Sequence, residues 1–361
     1  MAILALPLMA SCLGNDGPYQ AGFLFLKPAN AVTAVYANNT VDSVIMFSYG
    51  DWKMETMRND GDFCSITYNE GKGNAIYSMP AYFTQNTTGE ARMALFRVYD
   101  VAHAEKANAQ FCFFQYATRG DGSLGNAPVV KRITGSDDTE IEMEYDTQVR
   151  PIALRAARSG QTVHRLTITY NDYDSTMTVG YGSTAMKARY DRSYQPNRLI
   201  SATDTLGYFS QMLMPGIAVS PTTAFNVEFR HAGGHWQAYA YLLGGQSLDP
   251  DSIHNADSLR YYHNRADGSV LVNKWKLNYG NGSNRTQTVD ANQLVYSLEE
   301  MNPFMLISLF RYARNSDVLT LAKGDANDDV TISQVRRNSD MSIAELTVTR
   351  PDGQVTYKFE Y

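Results

Sequence analysis

The first part of the chain alternates between short apolar stretches and polar turns rich in Gly, Asn and Asp. Three of the apolar stretches are Gly22–Leu26, Ser43–Phe47 and Ala91–Tyr99. Short strands at such spacing predict a β-sandwich, which we place at residues 19–118. In the third stretch Phe96 and Val98 alternate with Leu95 and Arg97, so we expect Phe96 and Val98 to face the core.

A pattern of strand, tight turn and strand recurs beyond residue 129. It is present at Ile133–Asp146, Leu166–Tyr181 and Leu346–Tyr361, and the last of these contains Asp352-Gly353 between two alternating runs. An Asp-Gly pair in that position favours a hairpin. Because an isolated hairpin is only marginally stable, we expect several hairpins to pair into one large antiparallel sheet over 129–361.

The stretch 290–314 departs from the strand pattern. Its apolar residues recur at a nearly helical spacing, at Leu294, Leu298, Met301, Met305, Leu309 and Tyr312. Asp290 is placed to cap a first helix, and Pro303 divides the stretch because its ring removes a backbone donor. With Asn302 as the cap of a second helix, the pattern predicts a short helical pair packed on the sheet. The predicted fold class is mostly β.

Residues 119–128 are rich in Gly and polar residues, so we interpret them as a linker between the two predicted domains.

Charge and the length of the apolar stretches argue against two classes of protein. The 361 residues carry a formal net charge of −6 without a long basic run, so we expect no nucleic-acid partner. We find no apolar stretch of about 20 residues, and we therefore expect no transmembrane helix.

The N-terminal residues contain an apolar run, Ala2–Ala10, followed by Ser11-Cys12 and a polar stretch with Gly and Pro. The run has the length of a signal-peptide core. The segment resembles the lipobox of bacterial lipoproteins, which implies a lipid on Cys12 and a signal and tether over residues 1–18. It also implies a cell-envelope protein anchored to the outer membrane through its N-terminal lipid. The alternative is that Cys12 is a buried structural residue.

The other two cysteines are Cys64 and Cys112. An exported protein could join them in a disulfide. Each lies among apolar or β-forming residues, so we favour two small buried side chains over a disulfide.

Four short segments in 19–118 carry a family resemblance. They are Asp51-Trp52-Lys53-Met54, Asn69-Glu70-Gly71, Asn86 to Arg92, and Phe113-Phe114-Gln115. Together they resemble the BACON domain, an Ig-like sandwich common in exported proteins of gut Bacteroidetes. The resemblance implies an Ig-like fold and a proposed role in carbohydrate binding, in which Trp52 would stack on a sugar. The alternative role of Trp52 is core packing, because Trp is usually largely buried.

We searched the sequence for catalytic and metal-binding motifs. We find no known catalytic motif, so we expect neither an enzyme nor a cofactor. Asp325, Asn327 and Asp329 have the spacing of a calcium loop, but Val330 and Arg336 occupy the positions that need Gly and an acid. We therefore expect a solvated acidic turn and no metal site.

Aromatic residues of the second domain give one functional hint. Tyr239, Tyr241, Tyr261, Tyr262 and Trp275 could line a surface that stacks on a saccharide. The alternative is ordinary packing of a Tyr-rich sheet, since the chain contains 24 tyrosines.

These observations favour a lipid-anchored cell-envelope protein with a non-enzymatic binding or spacer role. Its expected partner is a polysaccharide or an outer-membrane protein. The layout of 129–361 also resembles large-sheet domains of unknown function in Bacteroidetes lipoproteins. Two alternatives stay open. A glycan-active hydrolase would need two carboxylates across a cleft of the C-terminal domain. A structural subunit of an envelope assembly would show an exposed edge strand.

Overall fold

The structure is a computed structural model. It describes residues 22–27, 32–181, 184–190, 196–202, 208–212, 222–230, 236–244, 255–264, 270–298, 316–325 and 327–361. Between residues 181 and 274 it describes mainly the backbone. The chain divides into two compact units, one ending at Ala117 and one comprising Thr118–Tyr361. The predicted lipid site, Cys12, lies outside the described residues. No helix in the described part of the chain is long and apolar enough to cross a membrane.

The first unit is a β-sandwich of two sheets, as predicted. Sheet I has the order β1-β3-β7-β5 and contains β1 (Phe23–Lys27), β3 (Val41–Ser48), β5 (Cys64–Ile66) and β7 (Ala75–Phe83). Sheet II has the order β2-β9-β8-β4-β6 and contains β2 (Val32–Val35), β4 (Trp52–Asn59), β6 (Glu70–Gly71), β8 (Arg92–Asp100) and β9 (Asn108–Gln115). Strands β2 and β9 are parallel, and the other pairs are antiparallel.

Alternating side chains of both sheets form the sandwich core. Strand β3 contributes Val44 and Met46, and β8 contributes Phe96 and Val98, all fully or almost fully buried. The expected inward orientation of Phe96 and Val98 is thereby confirmed. The core is rich in aromatic rings; Phe96 stacks on Phe111, with their ring centroids 5.4 Å apart.

The second unit contains an antiparallel sheet of sixteen strands within the described residues, here called the large sheet. Its strands are β10 (Arg132–Gly135), β11 (Thr139–Tyr145), β12 (Pro151–Arg158), β13 (Gln161–Asn171), β14 (Thr176–Tyr181), β15 (Thr184–Tyr190), β16 (Pro196–Ala202), β17 (Tyr208–Met212), β18 (Thr222–Arg230), β19 (Trp236–Gly244), β20 (Ala256–Asn264), β21 (Val270–Ser283), β22 (Asp317–Gly324), β23 (Val330–Arg337), β24 (Ile343–Arg350) and β25 (Gly353–Glu360). The predicted large antiparallel sheet is confirmed, and it includes all three hairpins expected from the sequence.

Chain order and sheet order are closely related in the large sheet. Strands β10 to β16 follow one another from the middle to one end, and β17 to β25 return from the other end. The two halves join where β10 pairs with β25, with Thr134 opposite Lys358. Strands β16 and β17, which occupy the two ends of the order, also contact each other.

In the strands whose side chains the structure describes, one face of the large sheet is apolar and the other is charged. On β11, Ile141 and Met143 are buried, whereas Glu140 and Glu142 lie on the opposite face, where Arg155 binds both carboxylates at 3.3 and 2.9 Å. A hydrogen bond from Arg132 is the main cause that lowers the pKa of Glu140. Such alternation is typical of a sheet with one packed and one solvated face.

The segment from Asn284 to Leu298 packs on the apolar face. Its single regular element is a 3-10 helix, Ala291–Val295, and Asp290 caps it by accepting a hydrogen bond from the Asn292 amide, as predicted. Arg350 donates to the carbonyl oxygens of residues 294–296 at 2.5–2.9 Å. These are the carbonyls that an α-helix would use for its next turn, so the helix stays short. The predicted second helix, from Asn302 and Pro303, lies outside the described residues.

The predicted linker, residues 119–128, packs as an ordered loop of the second unit. The Arg119 guanidinium is buried and donates to the carbonyls of Gly125 and Ala127 at 2.7 and 3.0 Å. The Leu124 amide donates to the Arg285 carbonyl at 2.9 Å. Its Gly-rich composition therefore reflects a compact turn that wraps an arginine.

Candidate interaction surface

Trp52, a predicted sugar-stacking residue, lies in the core of the sandwich. Its side chain is 0% exposed, and its ring makes an edge contact with Tyr77, with 5.0 Å between centroids. A Cβ atom added at Gly71 would lie 2.5 Å from Trp52 Nε1, so only glycine fits beside the indole. Trp52 offers no face to a sugar. The structure thus shows the alternative given from the sequence, core packing of Trp52, and stacking of this ring on a sugar stays a prediction without support from its burial.

A hydrogen-bond network involves three other residues of the BACON-like segments, Asn86, Arg92 and Gln115. Gln115 is fully buried and donates from Nε2 to the carbonyls of Tyr36, Ala37 and Thr84 at 3.1–3.4 Å. Its Oε1 accepts a 2.7 Å hydrogen bond from Arg92. Asn86 donates to the carbonyls of Glu90 and Tyr116 at 2.7 and 2.9 Å. These residues satisfy buried backbone groups, so their role here is structural.

Trp275 is also a packing residue. It is 6% exposed and belongs to the core of the large sheet. Its Nε1 donates to the Asp328 carbonyl at 3.0 Å, and its ring makes an edge contact with Tyr296. The structure thus shows ordinary packing of Trp275, the alternative given from the sequence. Asp328, of the predicted acidic turn, thus contacts the indole through its backbone carbonyl.

The predicted acidic turn was also considered as a metal site. Among the described residues no group of three or more His, Cys, Asp or Glu side chains could hold a metal ion.

The four predicted tyrosines lie on β19 and β20, strands for which the structure describes the backbone. The register pairs Tyr239 with Tyr261, and it pairs Tyr241 with Leu259, which in turn pairs with Trp275. Directly paired positions share one face of a sheet. The topology therefore brings Tyr239, Tyr241 and Tyr261 to the face where Trp275 packs into the core. Tyr262 follows Tyr261 directly on β20, so its position is on the opposite face.

The two described cysteines are free and buried. Burial raises the pKa of the Cys64 thiol to about 12 and also raises the pKa of Cys112. Cys64 belongs to the sandwich core. Small buried side chains, the interpretation favoured from the sequence, are what the structure contains.

The outer face of sheet I is apolar although it is exposed. On β3 the buried residues are Val44, Met46 and Ser48, so the intervening positions point away from the core. The same parity applies to β1 and β7, whose core-facing residues include Phe25 and Met79. The outward apolar side chains, which we call the apolar face of sheet I, are Leu24, Leu26, Val41, Ile45, Phe47, Ile76, Pro80 and Tyr82.

These side chains form rows across the strands. Leu24 of β1 is paired with Phe47 of β3, which is paired with Ile76 of β7, and Val41 of β3 is paired with Tyr82 of β7. Paired side chains stand about 5 Å apart, so each row is continuous. Leu24, Leu26, Val41, Ile76 and Tyr82 are each 50–65% exposed. Contiguous exposed apolar groups of this kind mark interaction sites more often than single exposed residues do.

The charge on this face is neutralised. Lys27, at the end of β1, pairs with Asp42 and donates to the Ser43 hydroxyl at 3.1 Å. The Asp42 side chain is 7% exposed. In the described part of sheet I, no other charged side chain lies among the outward positions of β1, β3, β5 and β7. The remaining outward positions of these strands carry the hydroxyls of Ser43, Ser65 and Ser78, so the face is mainly apolar and can bind an apolar surface.

Sequence reasoning missed this face, although a signal was present. Phe23-Leu24-Phe25-Leu26 and Val44-Ile45-Met46-Phe47 are continuous apolar runs instead of alternating ones. Such runs are typical of strands that are covered on both faces. In the described structure the sandwich core covers one face only.

Comparisons with known proteins include three distantly similar solved structures. No protein-family model matches the chain, and no curated protein matches it. A Bacteroides ovatus GH5 xyloglucanase solved with a XXXG heptasaccharide is similar at 14% identity and a TM-score of 0.22, over 29% of this chain and 21% of that chain. A porin-like protein from Bacteroides vulgatus is similar at 12% identity and a TM-score of 0.41, over 64% of this chain and 98% of that chain. The YadV chaperone is similar at 8% identity and a TM-score of 0.21, over 71% of this chain and 99% of that chain. Because every score is below 0.5, we infer nothing about this chain from these similarities.

Proposed function

We propose that the protein is a lipid-anchored cell-envelope protein that works by binding and not by catalysis. The observation that carries the proposal is the apolar face of sheet I, which is exposed on a unit whose first strand, β1, lies only eleven residues after Cys12. A mainly apolar face, on which the charge of Lys27 is paired with Asp42, suits adhesion to an apolar partner. A lipid at Cys12 would hold that face in an environment where apolar partners are abundant.

Binding of a polysaccharide by the second unit has less support. Trp275 is packed in the core, and the positions of Tyr239, Tyr241 and Tyr261 share its face of the sheet. On the described strands, the charged face of the large sheet carries ion pairs such as those of Arg155 with Glu140 and Glu142. Stacking on a sugar needs an exposed aromatic ring, which these ion pairs do not supply. We therefore place the binding function on the first unit.

Cell fractionation tests the proposal. The full chain is expressed in a Gram-negative host, and the variant Cys12→Ser is expressed beside it. We expect the unaltered protein in the outer-membrane fraction, from which detergent but not high salt releases it, and the variant outside that fraction. Equal distribution of the two proteins between the fractions would contradict lipid anchoring at Cys12.

A further inference from the structure

We propose that the apolar face of sheet I contacts the bilayer into which the acyl chains of Cys12 insert. The sandwich would then bind the membrane surface directly and not only through its N-terminal tether. This inference rests on the proposed function, because it needs the lipid at Cys12. It adds a contact that lipid anchoring alone does not require.

The length of the chain before the sandwich restricts where this face lies. From Cys12 to Phe23 there are eleven residues. A fully extended chain spans at most about 3.3–3.6 Å per residue, so β1 begins within about 40 Å of the lipid. Strand β1 is the end strand of sheet I, and it carries Leu24 and Leu26 of the apolar face. The face therefore begins at the point where the tether ends.

The composition of the face fits acyl chains better than other partners. Leu24, Leu26, Val41 and Ile76 are aliphatic, and they offer neither hydrogen bonds to a sugar nor a charge to an ionic partner. Tyr82 brings a hydroxyl to the rim, an amphipathic side chain suited to the boundary between membrane and water. Lys27 is already paired with Asp42, so contact with lipid leaves no uncompensated charge.

A lipid tether at Cys12 would allow even a weak contact between the apolar face and the membrane to be occupied most of the time. A face joined to the membrane by a short linker experiences an effective concentration of about millimolar or higher, so low intrinsic affinity still gives high occupancy.

An environment-sensitive fluorophore at a single cysteine tests the contact. The full acylated chain is labelled with NBD at Ile76→Cys and reconstituted in vesicles of phosphatidylethanolamine and phosphatidylglycerol. The matched control carries the label at Met57→Cys, which is 51% exposed on sheet II. Cys64 and Cys112 are buried and stay unlabelled in the folded protein.

We expect NBD emission at position 76 to shift to shorter wavelength on reconstitution and to lose its quenching by aqueous iodide. We expect position 57 to change in neither respect. If the protein floats with the vesicles while both labels stay equally quenched, the membrane contact is wrong and the lipid anchor stands. If the protein does not float, the anchor and the contact are both wrong. If the shift at position 76 appears without vesicles and grows with protein concentration, a second copy covers the face, which also overturns the membrane contact.

Discussion

Three threonine substitutions should separate the adhesion of the sandwich from its folding. We consider Leu24→Thr, Ile76→Thr and Tyr82→Thr together, which change one outward residue of β1 and two of β7. All three side chains point away from the core and are at least half exposed. Threonine is β-branched and favours strands, so the substitutions keep the β propensity of β1 and β7.

The expected loss of membrane affinity follows from the exposed fractions. Complete burial of a Leu, Ile or comparable side chain contributes about 1.5–3 kcal/mol. Because about half of each of the three side chains is still exposed, contact with a membrane would gain about 1 kcal/mol per residue. Threonine retains one methyl group, so we expect a total loss of about 2–3 kcal/mol, which corresponds to about 30- to 150-fold weaker partitioning.

Vesicle flotation measures this partitioning without the lipid. The chain shortened to residues 19–361 keeps every described residue, and it is mixed with vesicles at millimolar lipid. The matched control is Met57→Thr on sheet II, which should float like the unaltered chain. Thermal unfolding should shift by no more than a few degrees in either variant, because neither alters the core. Flotation of the triple variant at the level of the unaltered chain would refute the adhesive role of the face.

Three further predictions concern residues whose role the structure assigns to packing. Trp52→Ala should lower the free energy of unfolding, measured with urea, by about 3–5 kcal/mol. Trp52→Phe should lower it clearly less, because Trp52 Nε1 has no hydrogen-bond partner in the described part of the chain. An equal loss of stability in the two variants would contradict this. Arg350→Met should destabilise the second unit by about 3–5 kcal/mol, since three buried carbonyls lose a charged donor, and a loss below about 1 kcal/mol would contradict the bonding pattern. An aromatic disulfide reagent at pH 8 should react with Cys64 and Cys112 in denaturant but not in the folded protein. Burial protects both thiols and raises the pKa of Cys64 to about 12. Rapid reaction of the folded protein would show that the thiols are accessible.

Local features of the fold were predictable from the sequence. The hairpin ending at Tyr361 follows from alternating residues around a tight turn, and the structure pairs Arg350 with Gly353 across it. Asp290 was identifiable as a helix cap, since a carboxylate is suited to an unpaired backbone amide. In both cases the determining contacts lie within a few residues along the chain.

Long-range features were not predictable from one sequence. The pairing of β10 with β25 joins Thr134 to Lys358, and no local pattern specifies a partner so distant in the chain. The helical spacing around Leu294 gave a 3-10 helix because Arg350, far along the chain, binds its carbonyls. The choice between stacking and core packing of Trp52 and Trp275 stayed open for the same reason, because burial of an aromatic ring depends on tertiary neighbours such as Tyr77 that the pattern around the ring does not reveal.

The mass of the N-terminal peptide tests the central claim most directly, because both the envelope location and the membrane contact depend on Cys12. The protein is purified from membranes of its expression host, digested, and its first peptide is analysed by mass spectrometry. We expect a peptide that begins at Cys12 and carries the added mass of acyl chains. A peptide that extends upstream of Cys12 and contains an unmodified thiol would contradict the account.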